Sequence, residues 1–407
     1  METHLTAPGK RTFLPDDFRI TDWAKLKPWF QELEQRPLPT REALEKWIGD
    51  LNELIAVVDE EFAWRYIRMS VNTEDQQAAE LYQYAVQQLM PHITKAINEL
   101  HKKLVAHPLV DTLDPQVYGI YLRKVRNELE LFREENIPLQ TEEQMKAREH
   151  GQIFGRMTVE IDGQTLTLQQ AGKLLQQPDR ARREAVYRAI QQRISQDGER
   201  LDALFDELVA LRHRQALNAG FDNYRDYKHK ALGRLDYTPE DCFAFHDAIA
   251  QHVRPLVASL HEARQQKLGL DSLRPWDLSV DPWGAQPLRP FEQVDELVQK
   301  SVRALSRLHP FFGESLQKMQ EMGHLDLDSR PGKRPGGYNM PLYATGVPFI
   351  FMNAVGTLGD LRTLMHEAGH AVHSFLTRHY HLVASKELPS EVAELASMTM
   401  ELLSMDF

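Results

Sequence analysis

Leu364-Met365-His366-Glu367-Ala368-Gly369-His370-Ala371-Val372-His373 decides how this chain is read. It contains His-Glu-x-x-His. Residues four apart share one face of a helix, so His366 and His370 can turn both imidazoles toward a single Zn²⁺ at about 2.0–2.1 Å. Glu367, beside His366, can reach a metal-bound water as general base. Chance supplies roughly 0.06 such matches in a chain of this composition. Leu361, Leu364, Met365, Ala368, Ala371, Val372, Phe375 and Leu376 lie on nearly every side. That pattern predicts a buried helix over about 359–379. Two histidines and a glutamate on such a helix are costly unless paired or ligating a metal.

A catalytic zinc site takes a third protein ligand and an open position. Position 376 is Leu, so the spacing with a third His six residues after His370 is absent. A carboxylate from a following helix is the alternative, and Glu387, Glu391, Glu394 and Glu401 are the candidates. In a helix starting near Ser390, Glu394, Ser397 and Glu401 form one polar stripe, while Val392, Leu395, Ala396, Leu402 and Leu403 fill other faces. Local chemistry favours Glu394 and leaves Glu391 open.

Working back from the motif, Val347-Pro-Phe-Ile-Phe-Met352 is an apolar run too short for a helix. Pro348 lacks an amide donor, which points to an edge strand. An edge strand from Gly346 to Asn353 could accept an extended peptide as an added strand. A helix is expected from about 291 to 322, after a connector carrying Pro275, Pro282, Pro287 and Pro290. Thr238-Pro239-Glu240-Asp241 opens another helix, running to about Leu268. Further helices are expected from about 179 to 231. Asp162-Gly163 joins Met157–Ile161 to Gln164–Leu168 as a β-hairpin. Residues from about 16 to 105 read as helical. Thr73-Glu74-Asp75-Gln76 carries a capping-box pattern there, followed by an apolar stripe from Ala79 to Leu104. The class is mainly α with a small β element.

Composition narrows the function. The chain has 407 residues, 48 Lys+Arg against 59 Asp+Glu, and a net charge of −11. Such a balance gives no general attraction to nucleic acid or anionic membranes. The single cysteine, Cys242, excludes an internal disulfide and fits a reducing compartment. Met1–Lys10 lacks the apolar core of a signal peptide. A cytoplasmic protein is therefore expected. Cys242 and His246, spaced i, i+4, read as packed core beside Phe243 and Phe245. Arg180, Arg182, Arg183 and Glu184 read as a solvated helix face.

Gly336-Gly337-Tyr338, Gly346–Asn353, His366–His370 and Glu391-Val392-Ala393-Glu394-Leu395-Ala396-Ser397 together resemble the core of the thimet oligopeptidase and oligoendopeptidase F family of zinc metallopeptidases. Weaker similarity reaches Asn223–Tyr227 and Pro275–Leu278. The resemblance covers most of the chain from about 180 and is strongest after 330. It implies a large helical zincin fold with a deep substrate channel and a small β element beside the zinc helix. It implies one Zn²⁺ per chain held by His366, His370 and Glu394, with Glu367 as the base and Glu401 orienting one of the histidines. Ala368 stands where many members carry an aromatic residue.

Two regions are expected. Residues 1–175 form an N-terminal helical region with a β-hairpin, and 176–407 form a zinc peptidase domain that is C-terminally incomplete. Family members continue beyond Phe407 with Tyr and His side chains assigned to transition-state stabilisation. The expected function is a zinc endopeptidase hydrolysing oligopeptides, without nucleic-acid or membrane partners. The alternatives are a carboxypeptidase-like zinc enzyme with the same glutamate ligand, and a helical peptide-binding scaffold that does not turn over. A cation placed to bind a substrate C-terminus would favour the first alternative.

Overall fold

Many of the helices start where a side chain can satisfy the unpaired amides of the first turn. In a computed structural model, which describes residues 11–407, Asp22 accepts from Lys25 N–H at 3.0 Å and opens α1 (Trp23–Gln35). The reading of Met1–Lys10 lies outside the described residues. Thr40 opens α2 (Arg41–Val71), accepting from Ala43 N–H at 3.2 Å. The capping box expected at Thr73 is displaced. Asp75 caps α3 (Gln76–Tyr84) by accepting from Ala78 N–H at 3.0 Å. The Thr73 amide and hydroxyl instead both donate to Gly332 O, at 2.6 and 2.8 Å, tying α2 to the far end of the sequence.

One π-helical turn at 85–89 joins α3 to α4 (Met90–Val105). Pro91 accounts for it, because a proline has no N–H for the carbonyl four residues back and its ring clashes there, so the ladder widens by a residue. The expected stripe is buried at Ala79, Ala85, Leu89, Ile93, Leu100 and Leu104, whereas Leu81 is exposed. Ala85, Leu89, Ile93, Leu100 and Leu104 join Leu44, Trp47, Ile48 and Leu51 of α2 in the N-terminal core.

α5 (Pro115–Leu131) and α6 (Asn136–Gly155) lead to the hairpin β1 (Thr158–Ile161) and β2 (Gln164–Thr167). Its turn residues Asp162 and Gly163 have φ of 53° and 73°, the pair of left-handed residues a two-residue hairpin turn demands. α7 (Leu168–Lys173), α8 (Arg180–Ser195), α9 (Gly198–Asn218) and α10 (Tyr224–Ala231) follow. The charge run at the start of α8 is a solvated face only in part: Arg180 is exposed, Arg182 and Glu184 are half-buried, and Arg183 is buried. Arg180 and Arg183 converge on Asp277, whose side chain is fully buried, at 2.9 and 3.0 Å.

Thr238 and Asp241 form the expected capping box for α11 (Pro239–Ala248), and a π-helical turn before Pro255 leads into α12 (Arg254–Leu268). Cys242 is half-buried, but Phe243, Phe245 and His246 are exposed, so the packed-core reading of this face fails. No residue of α11 or α12 is buried among the described residues. The single helix expected from 291 to 322 is two, α13 (Val294–Leu308) and α14 (Pro310–Glu321). Pro310 cannot continue the first ladder, and His309 Nδ1 accepts from Phe311 N–H at 3.2 Å to start the second.

β3 (Leu325–Asp328), β4 (Tyr338–Met340) and β5 (Phe349–Ala354) form one sheet in the order β3-β5-β4. β5 is thus the central strand, not an edge, parallel to β3 and antiparallel to β4 with Tyr338 opposite Phe351 and Met340 opposite Phe349. Pro348 precedes the strand, so its missing amide falls outside the ladder. Both edges of β5 are occupied, which removes the Gly346–Asn353 run as an acceptor for an added strand. Its side chains alternate. Phe349 and Phe351 pack on Ala63 and Ile67 of α2, and Ile350 and Met352 face the helix that carries His-Glu-x-x-His. That helix is α15 (Leu358–Thr377), and α16 (Ser390–Leu403) follows it. No helix among the described residues is long and apolar enough to cross a membrane.

Candidate metal centre

α15 begins with a capping box. Thr357 Oγ1 accepts from Asp360 N–H at 3.2 Å, and Asp360 Oδ2 accepts from Thr357 N–H at 2.7 Å. Leu364, Met365, Ala368, Ala371, Val372 and Phe375 then bury against Ile350 and Met352 of β5. The remaining stripe carries His366 and His370, whose rings meet edge to face at 4.9 Å.

α16 lies against this stripe unusually closely at Gly369. A Cβ there would sit 2.7 Å from Ser397 Cα and 3.1 Å from Met400 Cβ. That approach brings Glu394 to the two histidines, with Oε2 3.1 Å from His366 Nε2 and Oε1 3.7 Å from His370 Nε2. One ligand atom from each of the three lies within 4.8 Å of the others. Atoms held about 2.1 Å from one ion in a tetrahedral array are about 3.4 Å apart. The observed 3.1 and 3.7 Å bracket that value, so two imidazole nitrogens and a carboxylate fit a zinc ion here.

The other acidic candidates go elsewhere. Glu391 accepts from the Tyr237 hydroxyl and lies 3.2 Å from Arg234 Nε. Glu387 sits 3.7 Å from Lys124 Nζ. Glu401 Oε1 lies 2.7 Å from His366 Nδ1, on the opposite side of the ring from Glu394. An acceptor there fixes the tautomer that presents a bare Nε2 to a metal. Burial, with His366 adding to it, holds His370 below the ordinary imidazole range and favours the neutral form a metal requires.

Glu367 is 6% exposed. Burial pushes its carboxyl up to about 7, with the nearby Glu394 reinforcing the effect and His366 opposing it. Gly337 faces this carboxylate, since a Cβ at Gly337 would come within 3.5 Å of Glu367 Oε1, so bare backbone forms the wall beside it. Asn339 Nδ2 donates to Glu367 O at 3.4 Å. The centre opens into a cleft of about 680 Å³ whose wall includes Asn339, Tyr343, His373 and Lys386.

Gly369, Asn339 and Lys386 were not singled out from the sequence. For Gly369 a signal existed: a glycine inside a helix costs about 1 kcal/mol relative to alanine and so implies a packing reason. For the other two there was none.

Known proteins resemble this chain in sequence and fold. The peptidase M3 N-terminal domain matches residues 13–132, and peptidase family M3 matches residues 173–407. Group B oligopeptidase PepB of Streptococcus agalactiae is 29% identical over 190 residues, 46% of this chain and 30% of that protein. An oligoendopeptidase F homolog of Lactococcus lactis is 28% identical over 232 residues, 56% of this chain and 37% of that protein. The solved structure of PZ peptidase A with an inhibitor superposes with a TM-score of 0.89 at 26% identity, covering 95% of this chain and 69% of that one. The matched part is therefore less than half the length of these curated relatives. With the family's description matching from residue 173 through the helices that carry His366, His370 and Glu394, the chain belongs to peptidase family M3.

Proposed function

We propose that the protein is a zinc-dependent endopeptidase hydrolysing oligopeptides, with His366, His370 and Glu394 as the metal ligands and Glu367 as the general base. The observation that carries this reading is the convergence of three ligand atoms within 4.8 Å on a cleft wall beside a buried glutamate. The names of the relatives, oligopeptidases and oligoendopeptidases, support the substrate class.

Zinc bound here supplies Lewis acidity to the scissile carbonyl and to the attacking water. Glu367 takes the water's proton. The same carboxyl then passes it to the leaving nitrogen. Glu401 holds the His366 ring in place. β4 has its outer edge unpaired among the described residues, and Gly337, Tyr338 and Asn339 line the cleft. An extended peptide can add to that edge, main chain to main chain. Folded proteins do not present such a strand to a cleft of this size.

The test is hydrolysis of an internally quenched oligopeptide by the zinc-loaded chain and by Glu367→Gln. The reading predicts turnover that Glu367→Gln removes while zinc content stays the same. Turnover unchanged in Glu367→Gln would refute the assignment of the base. Stoichiometric zinc and peptide binding without any turnover would favour a binding scaffold.

A further inference from the structure

We propose that Lys386 is a carboxylate-binding residue of the cleft, holding an acidic group of a bound peptide about two or three residues from the metal centre. The inference rests on the peptidase reading above and gives that site a substrate preference.

Two lysines line the cleft, Lys124 and Lys386. Lys124 is already engaged. Its Nζ donates to the carbonyls of Ala384 at 2.5 Å and Glu387 at 3.0 Å, and the Glu387 carboxylate lies 3.7 Å away. Lys386 has no such partner. Among the described residues, neither a carboxylate nor another acceptor bonds its Nζ, and the charged group that acts on it is another cation, Arg378. Of the nearby acids, Glu128 lies 3.2 Å from His101 Nδ1, Glu387 lies toward Lys124, and Asp59 is half-buried beside those two.

A half-buried ammonium with a cation beside it and no anion is unfavourable, and burial together with Arg378 lowers its pKa accordingly. A substrate carboxylate relieves both costs and forms a charge-assisted hydrogen bond. The backbone that carries Lys386 is already fixed. Val383 N–H donates to Asn52 Oδ1 at 2.9 Å, Lys386 N–H to Val383 O at 2.8 Å, and Lys124 clamps the carbonyls on either side. Binding therefore orders little beyond one side chain.

Position sets the register. Lys386 shares a small adjoining hollow with Tyr343, Ser374, Thr377 and Arg378, so it lies over the last turns of α15. Ser374 and Thr377 are four and seven residues beyond His370, about 6 and 10 Å along the axis. An extended peptide advances about 3.3 Å per residue, which places the partner carboxylate about two or three residues from the scissile bond. That carboxylate belongs to an Asp or Glu side chain or to the peptide's own C-terminus.

The experiment is fluorescence anisotropy on the zinc-loaded full chain carrying Glu367→Gln. The probes are labelled octapeptides in which one Asp is moved along the sequence. Each is paired with an Asn twin and with a C-terminally amidated twin. One Asp position is expected to bind about tenfold tighter than its Asn twin, a preference that weakens with salt. If amidation gives the tenfold loss instead, the terminal carboxylate is the group held. Lys386→Gln should bring either ratio to about one while leaving the uncharged twin's affinity and the melting temperature unchanged, and Lys386→Arg should keep the preference. The proposal is overturned if Lys386→Gln leaves the ratios intact, if it weakens charged and uncharged peptides alike, or if no peptide binds. A chain with intact Glu367 that fails to hydrolyse peptides, yet keeps the Lys386-dependent preference, would sink the peptidase reading and leave this inference standing.

Discussion

The Cα of Ser397 stands 2.7 Å from where a Cβ on Gly369 would be. No real Cβ tolerates backbone at that distance, so the absence of a side chain at 369 is what lets α16 carry Glu394 to His366 and His370. Alanine for glycine inside a helix normally stabilises by about 1 kcal/mol. Here Gly369→Ala is predicted to do the reverse, costing about 1–3 kcal/mol through overpacking and weakening zinc binding as the helices part. Urea unfolding and zinc titration against a chelator check both halves. A variant more stable than the parent with unchanged zinc affinity would refute the packing argument.

Glu401 is predicted to act on the metal through His366. Glu401→Gln keeps the shape but replaces a charged acceptor 2.7 Å from Nδ1. Loss of such a partner typically lowers metal affinity about 10–100-fold. The same competition titration reads it, and an unchanged affinity would mean that the contact is incidental.

The buried ion-pair cluster at the start of α8 is predicted to matter for stability and not for zinc. Asp277 is fully buried between Arg180 and Arg183, and Arg183 is itself buried. Asp277→Ala leaves that guanidinium without its charge partner, at a cost of about 3–5 kcal/mol. Denaturant unfolding should show a loss of this size, with zinc stoichiometry at low denaturant unaltered.

Asp59 gives the fold a pH dependence. Burial, with Glu387 and Glu128 adding their charge, pushes its carboxyl from 3.8 up to about 7. A raised carboxyl favours the folded state fully below the unfolded value, and the benefit is lost as pH rises toward the folded one. Between about pH 4 and 7 the unfolded chain ionises first, so stability falls with rising pH. The shift corresponds to about 4 kcal/mol at full weight, and to about half of that for a group only half-buried. Asp59→Asn should remove this slope, so that wild type loses about 2 kcal/mol relative to the variant between pH 4 and pH 8. Parallel pH profiles would rule the effect out.

Local signals were the legible ones. Asp162-Gly163 and Thr238-Pro239 act within a few residues, and both specify their turn and cap as read. The chemistry of His-Glu-x-x-His needs only one helix turn, so His366, Glu367 and His370 could be proposed together. What failed depends on partners distant in sequence. Pro348 was read as an edge signal because the strand's first residue could not be known, and β5 lies between two strands contributed by 325–328 and 338–340. Arg183, buried against Asp277, reads as solvated because Asp277 is about a hundred positions away. Glu391 and Glu394 could not be separated by local pattern, since the choice is set by how α16 crosses α15 at Gly369. Lys386 carries no pattern at all, and only the folded cleft gives it a role.

The most direct test of the central claim, that α15 and α16 together build one metal centre, is zinc content per chain after dialysis, measured for the parent, His366→Ala, Glu394→Ala and Glu391→Ala. The account predicts one zinc in the parent and in Glu391→Ala and close to none in His366→Ala and Glu394→Ala, regardless of turnover. Zinc retained in Glu394→Ala and lost in Glu391→Ala would contradict it.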